Sequence, residues 1–173
     1  ITPVIEDLGF ELVRVRLMSA PTLKLKQMFA RGECDFILTT EDTCGADGET
    51  LIELPLIWVG AESGTIWRET PLRIAHCSNC IFRGGVVKTL NDAGIAWEMA
   101  VDSELDNAIE AAVSADLAVT AVIQGGLPPH TEAIDHGGTL PMLPPQRINL
   151  YTQQPDQPVH AAVAQMIRVA YQV

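Results

Sequence analysis

The sequence has no run of about 18 apolar residues, and no charged stretch leading into an apolar segment with a small-residue cleavage site opens it, so neither a membrane span nor a secretion signal is expected. Cations are scarce. Eleven Lys and Arg against 22 Asp and Glu leave a formal charge of -11, which disfavours a nucleic-acid surface, because phosphate binding needs clustered basic residues to release counterions. The four cysteines, Cys34, Cys44, Cys77 and Cys80, are too few for a disulfide scaffold, and a soluble chain in a reducing cytoplasm is the expectation. Catalytic signatures are missing as well. There is no GxSxG elbow, phosphate-binding P-loop or HExxH, and no Ser, His and acid stand at telling spacings, so no enzyme is expected.

What remains is an apolar chain, 47% hydrophobic over 173 residues, enough for one domain or two small lobes. Phe10 to Met18 alternates around Val13, Val15 and Leu17 as a strand with one wet face does. Ser19 then stands as a helix cap, Pro21 falls in the first turn, and Leu25, Met28 and Phe29 form an apolar stripe that Gly32 ends. Asp35 to Thr39 reads as a strand running into Thr40, and Glu41 to Glu49 as a solvated loop. Asp42, Asp47 and Glu49 in that loop lack the helix pair and ligand spacing of a calcium site. Leu54 to Ala61 is apolar enough to be a strand buried on both faces.

After a break at Glu62 to Pro71 the pattern repeats. Strand Leu72 to His76 leads to a helix from Cys80 to Ala93, and strand Trp97 to Val101 to a helix from Ser103 with Leu105, Ala108, Ile109, Ala112 and Val113 on one face. Asp102 and Ser103 are candidate caps, with Asp106 completing a short capping box. Leu117 to Ile123 is the next strand, and such alternation predicts α/β units with mostly parallel strands. Gln124 to Pro145 is broken by Gly and Pro as a linker or irregular edge. A strand at Arg147 to Thr152 and a helix carrying Val159, Val163, Met166, Ile167 and Ala170 close the chain. Crossings near 62–71 and 141–147 place residues 1–65 and 147–173 in one lobe and 66–146 in the other.

The segments "LKQMFARGECDFILTT", "PLRIAHCSNCIFR", "VDSELDNAIEAAVSADLAVTAV" and "LPMLPPQRINLYTQ" together resemble, in order and spacing, the effector-binding domain of LysR-type transcriptional regulators. That resemblance implies an α/β, two-lobed fold like that of type 2 periplasmic binding proteins, with two chain crossovers and a ligand cleft between the lobes. It implies a homodimer or tetramer, a small-molecule effector, and DNA contact only through an N-terminal winged helix-turn-helix that these residues do not include.

Ligands in open α/β sheets settle beyond the carboxyl ends of strands, where helix N-termini offer free N–H groups and partial positive charge. Three such ends follow strands here: Ser19 with Ala20, Cys77 to Cys80, and Asp102 with Ser103. A small organic acid or similar polar metabolite is the expected ligand, held by main-chain donors across Ser78, Asn79 and Cys80. Hydroxyls from Ser19, Thr39 and Thr40 face it from the first lobe, and the resemblance implies effector contacts at these positions; Thr120, near the end of a strand, and the ring of Phe82 would add a hydroxyl and an apolar wall. Each hydroxyl has a plainer reading, as a helix cap or a strand hydroxyl bonded to backbone.

The "CSNC" turn has three readings. A zinc half-site would need further ligands, and Cys34, Cys44, His76, His130, His136 and His160 are scattered, so neither metal nor cofactor is expected. A redox pair is the second, since a helix N-terminus lowers a thiol's pKa. A structural or cleft-lining turn is the third. The rival functions are a free-standing solute-binding protein and a redox sensor using Cys77 and Cys80.

Overall fold

The computed structural model describes residues 4–5 and 13–172. The chain divides into two compact units, residues 1–52 with 147–173, and residues 53–146.

In the first unit, β1 (Val4–Ile5) pairs antiparallel with β2 (Val13–Arg14). Of the strand expected over Phe10 to Met18, residues 10–12 lie outside the described residues. Val15 to Met18 is not strand: Leu17 is 80% exposed, so no core fixes that alternation in place. Helix α1 (Thr22–Ala30) starts later than expected, with Pro21 rather than Ser19 in the cap position. Proline bars its predecessor from helical geometry, so Ala20 cannot begin the helix, and Ser19 stands outside it. The exit follows the sequence: Gly32 takes φ +69°, its N–H donates to the Phe29 carbonyl and that of Glu33 to Met28, the paired bonds of a glycine-terminated helix.

Strand β3 (Phe36–Glu41) lies antiparallel to β10 (Gln146–Thr152), with β4 (Gly48–Leu54) on the far side of β10. The β4 strand is a correction to the loop expected through Glu49, its polar residues Glu49 and Glu53 having masked it. The single strand expected from Leu54 to Ala61 is two, parted at Pro55, which has no N–H to give a ladder. Helix α4 (Pro158–Ala170) ends the unit, burying Val163 and Ala164 while Met166 stays exposed.

In the second unit β5 (Leu56–Ala61) is flanked antiparallel by β8 (Thr120–Ile123) and β9 (Thr131–Ala133). Both its partners lie in this unit, so Leu56 to Ala61 belongs here rather than to the first lobe, and the first chain crossing falls between residues 52 and 53. Strands β6 (Leu72–Cys77) and β7 (Trp97–Ser103) are parallel, and a parallel bridge from Ile74 to Val119 ties β6 to the start of β8. Strand order is therefore β7-β6-β8-β5-β9, mixed rather than mostly parallel. The chain re-enters through β5 in the opposite sense, and local periodicity does not report direction.

Helices α2 (Ile81–Asp92) and α3 (Asp106–Ser114) cover opposite faces of this sheet. Leu72 and Ile74 of β6 pack with Val86 and Leu90 of α2, whereas Ala75 packs with Ile109 and Val113 of α3. Alternate residues of one strand thus feed two cores, as period-two geometry requires. The Gly- and Pro-rich stretch is an irregular edge: it supplies β9, buries Leu140 and Leu143, and its Pro141 carbonyl accepts the Trp58 indole N–H (2.9 Å). Leu90 is wholly buried in the α2 core. Leu90→Ala should cost ~2–5 kcal/mol through lost transfer energy and a residual cavity, readable as a lower urea midpoint at constant m-value.

Candidate functional site

The parallel strands β6 and β7 end side by side, and the turn Cys77 to Cys80 leads from β6 into α2. The turn is closed by the Cys80 N–H donating to the Cys77 carbonyl (3.0 Å), and the Ser78 N–H donates to Ser103 at the end of β7 (2.8 Å). Two of the main-chain donors expected to face a ligand are therefore committed internally. In the first turn of α2 the Arg83 N–H donates to the Cys80 carbonyl (3.3 Å), and the N–H groups of Phe82 and Arg83 both face the Cys80 thiol, so the helix start is partly committed to its own cap residue. Ser78 and Asn79 are exposed, and Cys77 and Cys80 half-buried. Phe82 packs against the α2 core, so its ring serves packing.

Burial pushes the Cys80 thiol above its ordinary pKa, outweighing the N–H groups of Phe82 and Arg83 that pull it down. The lowering expected of a helix N-terminus is overturned at Cys80, because desolvation disfavours the thiolate more than the helix end favours it.

Arg83, in the first turn of α2, grips Asp102 with both terminal guanidinium nitrogens, Nη1 and Nη2 (2.8 and 3.0 Å). This fork pins α2 to the end of β7; Asp102 holds the Arg83 pKa up, and Arg83 holds the Asp102 carboxyl down. Asp102 and Ser103 do not cap α3. Both belong to β7, Leu105 occupies the cap position with its side chain exposed, and the Ser103 hydroxyl accepts the Leu105 N–H (3.1 Å). A guanidinium fork offers a carboxylate more than a helix end does, which explains the displaced cap.

His76, the residue before the turn, is 1% exposed, and its Nε2 has no hydrogen-bond partner among the described residues. Burial, reinforced by the Arg83 charge, lowers its pKa to about 4. Neutral and sealed, it is a poor candidate for an exposed catalytic base. Thr120, at the start of β8 opposite Val59, is also buried.

In the first unit, Thr39 is buried and its hydroxyl donates to Glu41 Oε1 (2.7 Å). The Thr40 main chain is held by Thr22 of α1, whose Oγ1 accepts the Thr40 N–H (3.4 Å) and donates to its carbonyl (3.3 Å). Thr40 is half-buried and Ser19 exposed. The predicted residues thus fall into two sets: Ser19, Thr39 and Thr40 near α1 and β3, and Ser78, Asn79, Cys80 and Phe82 in one turn, with Thr120 on β8.

Sequence reasoning missed a half-buried polar network centred on Glu41. Its carboxylate takes bonds from Lys26, Thr39, Tyr151 (2.8 Å) and Asn149 (3.3 Å). The Tyr151 hydroxyl in turn accepts from the Gly45 N–H (2.9 Å) and from Lys26 (3.3 Å). Asn149, fully buried, donates to the Thr43 carbonyl (3.2 Å) and accepts from Thr50 (2.9 Å). Burial raises the Glu41 pKa, but its four donors together bring it below the ordinary carboxylate value, and Glu41 raises that of Lys26. The available signal was register: Thr39 and Glu41 alternate along β3 while Asn149 and Tyr151 alternate along β10.

A separate open cavity of about 520 Å³, lined by Trp67, Arg68, Leu72, Ile95 and Leu140, lies at the other end of β6. The Arg68 guanidinium stacks on the Trp67 ring at 4.3 Å. Among the described residues no three His, Cys, Asp or Glu side chains gather as a metal site, and no helix is long and apolar enough to cross a membrane.

No protein-family model matches the chain. Its structure is similar to regulatory domains of LysR-type transcriptional regulators, which have the two-lobed periplasmic-binding-protein-like fold. The HypT regulatory domain of Salmonella typhimurium, in its M206Q form, matches with a TM-score of 0.69 at 12% identity over 95% of this chain and 89% of that one. The CcmR regulatory domain of Synechocystis PCC6803, solved in complex with 2-PG, matches at 0.64 and 10% identity over 87% and 80%. Vibrio fischeri DarR, solved in complex with DNA, matches at 0.69 and 14% identity over 94% of this chain and 60% of DarR. The fold expected from the sequence is the fold these structures share.

Proposed function

We propose that the chain is the effector-sensing domain of a LysR-type transcriptional regulator and takes a small polar or anionic metabolite. The observation that carries this reading is the similarity to regulatory domains over most of their length, joined to a strand-turn-helix end in the second unit where Arg83 holds α2 in place. The partial positive charge at the start of α2 attracts an anion, and the exposed Ser78 and Asn79 supply donors beside it. Ser19 and Thr40 supply hydroxyls from the first unit. Thr39 and Thr120 are assigned packing and network roles first, since both are buried.

A ligand contacted by both units favours one arrangement of them by its differential affinity, and that shift is the signal. Its output passes, in a homodimer or tetramer, to a winged helix-turn-helix outside these residues, within the cytoplasm. The domain itself catalyses nothing.

The test is calorimetric titration of a panel of small carboxylates and phosphates. A binder should lose about tenfold or more in affinity in the Ser19→Ala, Thr40→Val double variant, at an unchanged melting temperature. Unchanged affinity in that variant removes both residues from the site, and a panel with no binder removes the anion reading.

A further inference from the structure

We infer that Cys77 and Cys80 form a redox-modification site, a thiol pair that a hydroperoxide converts into an intramolecular disulfide. The inference stands apart from the ligand reading.

Geometry carries it. The Cys80 N–H bond to the Cys77 carbonyl (3.0 Å) makes residues 77 to 80 a closed four-residue turn, whose end Cα atoms lie within about 7 Å of each other. Disulfides bridge Cα separations of ~4.4–6.8 Å, so the turn already brings the pair into range without moving a strand or helix. The turn is braced from outside itself: Ser78 is bonded to Ser103, and the Arg83 to Asp102 fork holds the following helix turn against β7. Both thiols are free on half-buried residues, and the two residues between them are exposed, which leaves the turn open to a small oxidant.

The roles divide by environment. Cys80 sits at the cap position of α2, where burial raises its pKa, which makes it the resolving thiol. Cys77, at the end of β6, meets the oxidant. Its thiolate attacks the terminal oxygen of the hydroperoxide; the O–O bond breaks, the alcohol leaves with a proton, and Cys77 becomes a sulfenic acid. The Cys80 sulphur then attacks the Cys77 sulphur, the S–O bond breaks, and hydroxide leaves as water with the Cys80 proton. Two electrons pass from the thiol pair to the peroxide, and the products are one disulfide, one alcohol and one water.

Cys34 and Cys44 are also half-buried and free, and serve as internal controls in the first unit. The experiment treats the purified chain with a small excess of hydrogen peroxide, blocks remaining thiols with an alkylating reagent, and maps peptides by mass spectrometry. The expected result is a peptide spanning Cys77 and Cys80 that is lighter by two hydrogens and refuses the reagent, while Cys34 and Cys44 are alkylated. Cys80→Ser should stop at a Cys77 sulfenic acid that dimedone traps, and Cys77→Ser should leave Cys80 reduced. Because serine can disturb a half-buried turn, Cys80→Ala is run beside it and should trap the same species. Oxidation of all four cysteines at equal rates, bridges between chains, or dimedone adducts on Cys80 in place of Cys77 would each overturn the assignment.

Discussion

Taking the protein from pH 7 to pH 4 should cost the second unit about 3 kcal/mol through His76 alone. In the folded chain its pKa is about 4, against an ordinary value of 6.5, because the ring is buried and faces the Arg83 charge. The unfolded chain therefore binds a proton on His76 between these values and the folded chain does not. The neutral form's stabilisation is complete above pH 6.5 and is lost as pH falls towards 4. A difference of about 2.5 units at 1.36 kcal/mol each sets the size.

The variant that isolates it is His76→Leu, of similar volume and with nothing to titrate. Nε2 has no partner among the described residues and is cut off from solvent, so the replacement removes a desolvation penalty and should raise stability at pH 7 by about 1–2 kcal/mol. Urea titrations at pH 7, 6, 5 and 4 should show the wild-type midpoint falling faster than that of His76→Leu, with other histidines and carboxylates cancelling in the comparison. Parallel midpoints across that range would mean that His76 is not buried neutral. A loss of stability in His76→Leu at pH 7 would mean that the ring's packing and its other nitrogen outweigh the cost of the unpartnered Nε2.

How far this could be read from the sequence depends on whether the deciding contacts are local. The β6–α2–β7–α3 run is legible because Leu72 and Ile74, Val86 and Leu90, and Ile109 and Val113 each repeat at the period of their own element. Strand β4 is not, since Glu49 and Glu53 make its stretch read as loop, while the neighbour that makes it a strand, β10, and the Arg168 that holds Glu49 both lie far along the chain. Caps fail for the same reason. Asp102 has every local property of a helix cap, yet Arg83, nineteen residues earlier, competes for it and wins. Pro21 illustrates the opposite case, a purely local restriction on Ala20 that the choice of Ser19 as the cap overlooked.

The candidate site divides along the same line. That residues 76 to 80 form a turn between a strand and a helix is written in their neighbours. Which of its N–H groups stay free depends on the Ser103 carbonyl, supplied by another strand. The Glu41 network escaped because its members come from α1, β3 and β10, and no one stretch contains enough of it to attract notice.

Removing that centre should be the most damaging polar substitution in the first unit. Glu41→Ala strands the Thr39 hydroxyl and the Tyr151 hydroxyl proton, both on residues almost wholly buried, and leaves the Lys26 ammonium to Tyr151 and water, and a loss of ~2–4 kcal/mol is expected. Glu41→Gln keeps an acceptor of similar shape but loses the charge that holds Lys26, so it should lie between Glu41→Ala and wild type. Tyr151→Phe removes one donor to Glu41 and one acceptor for Gly45 while keeping the ring against Phe29, and should cost about 1–2 kcal/mol. The acid dependence separates this unit from the effect of His76. The folded Glu41 pKa lies below its ordinary 4.5, so its contribution is intact above that value and is lost only as pH falls beneath it, whereas His76 has spent most of its effect by then. Thermal melts and urea titrations of the three variants should rank Glu41→Ala below Glu41→Gln, with Tyr151→Phe nearest to wild type. A Glu41→Ala protein as stable as wild type would mean that the four donors find water as good a partner as the carboxylate, and the network would then be surface chemistry rather than part of the core.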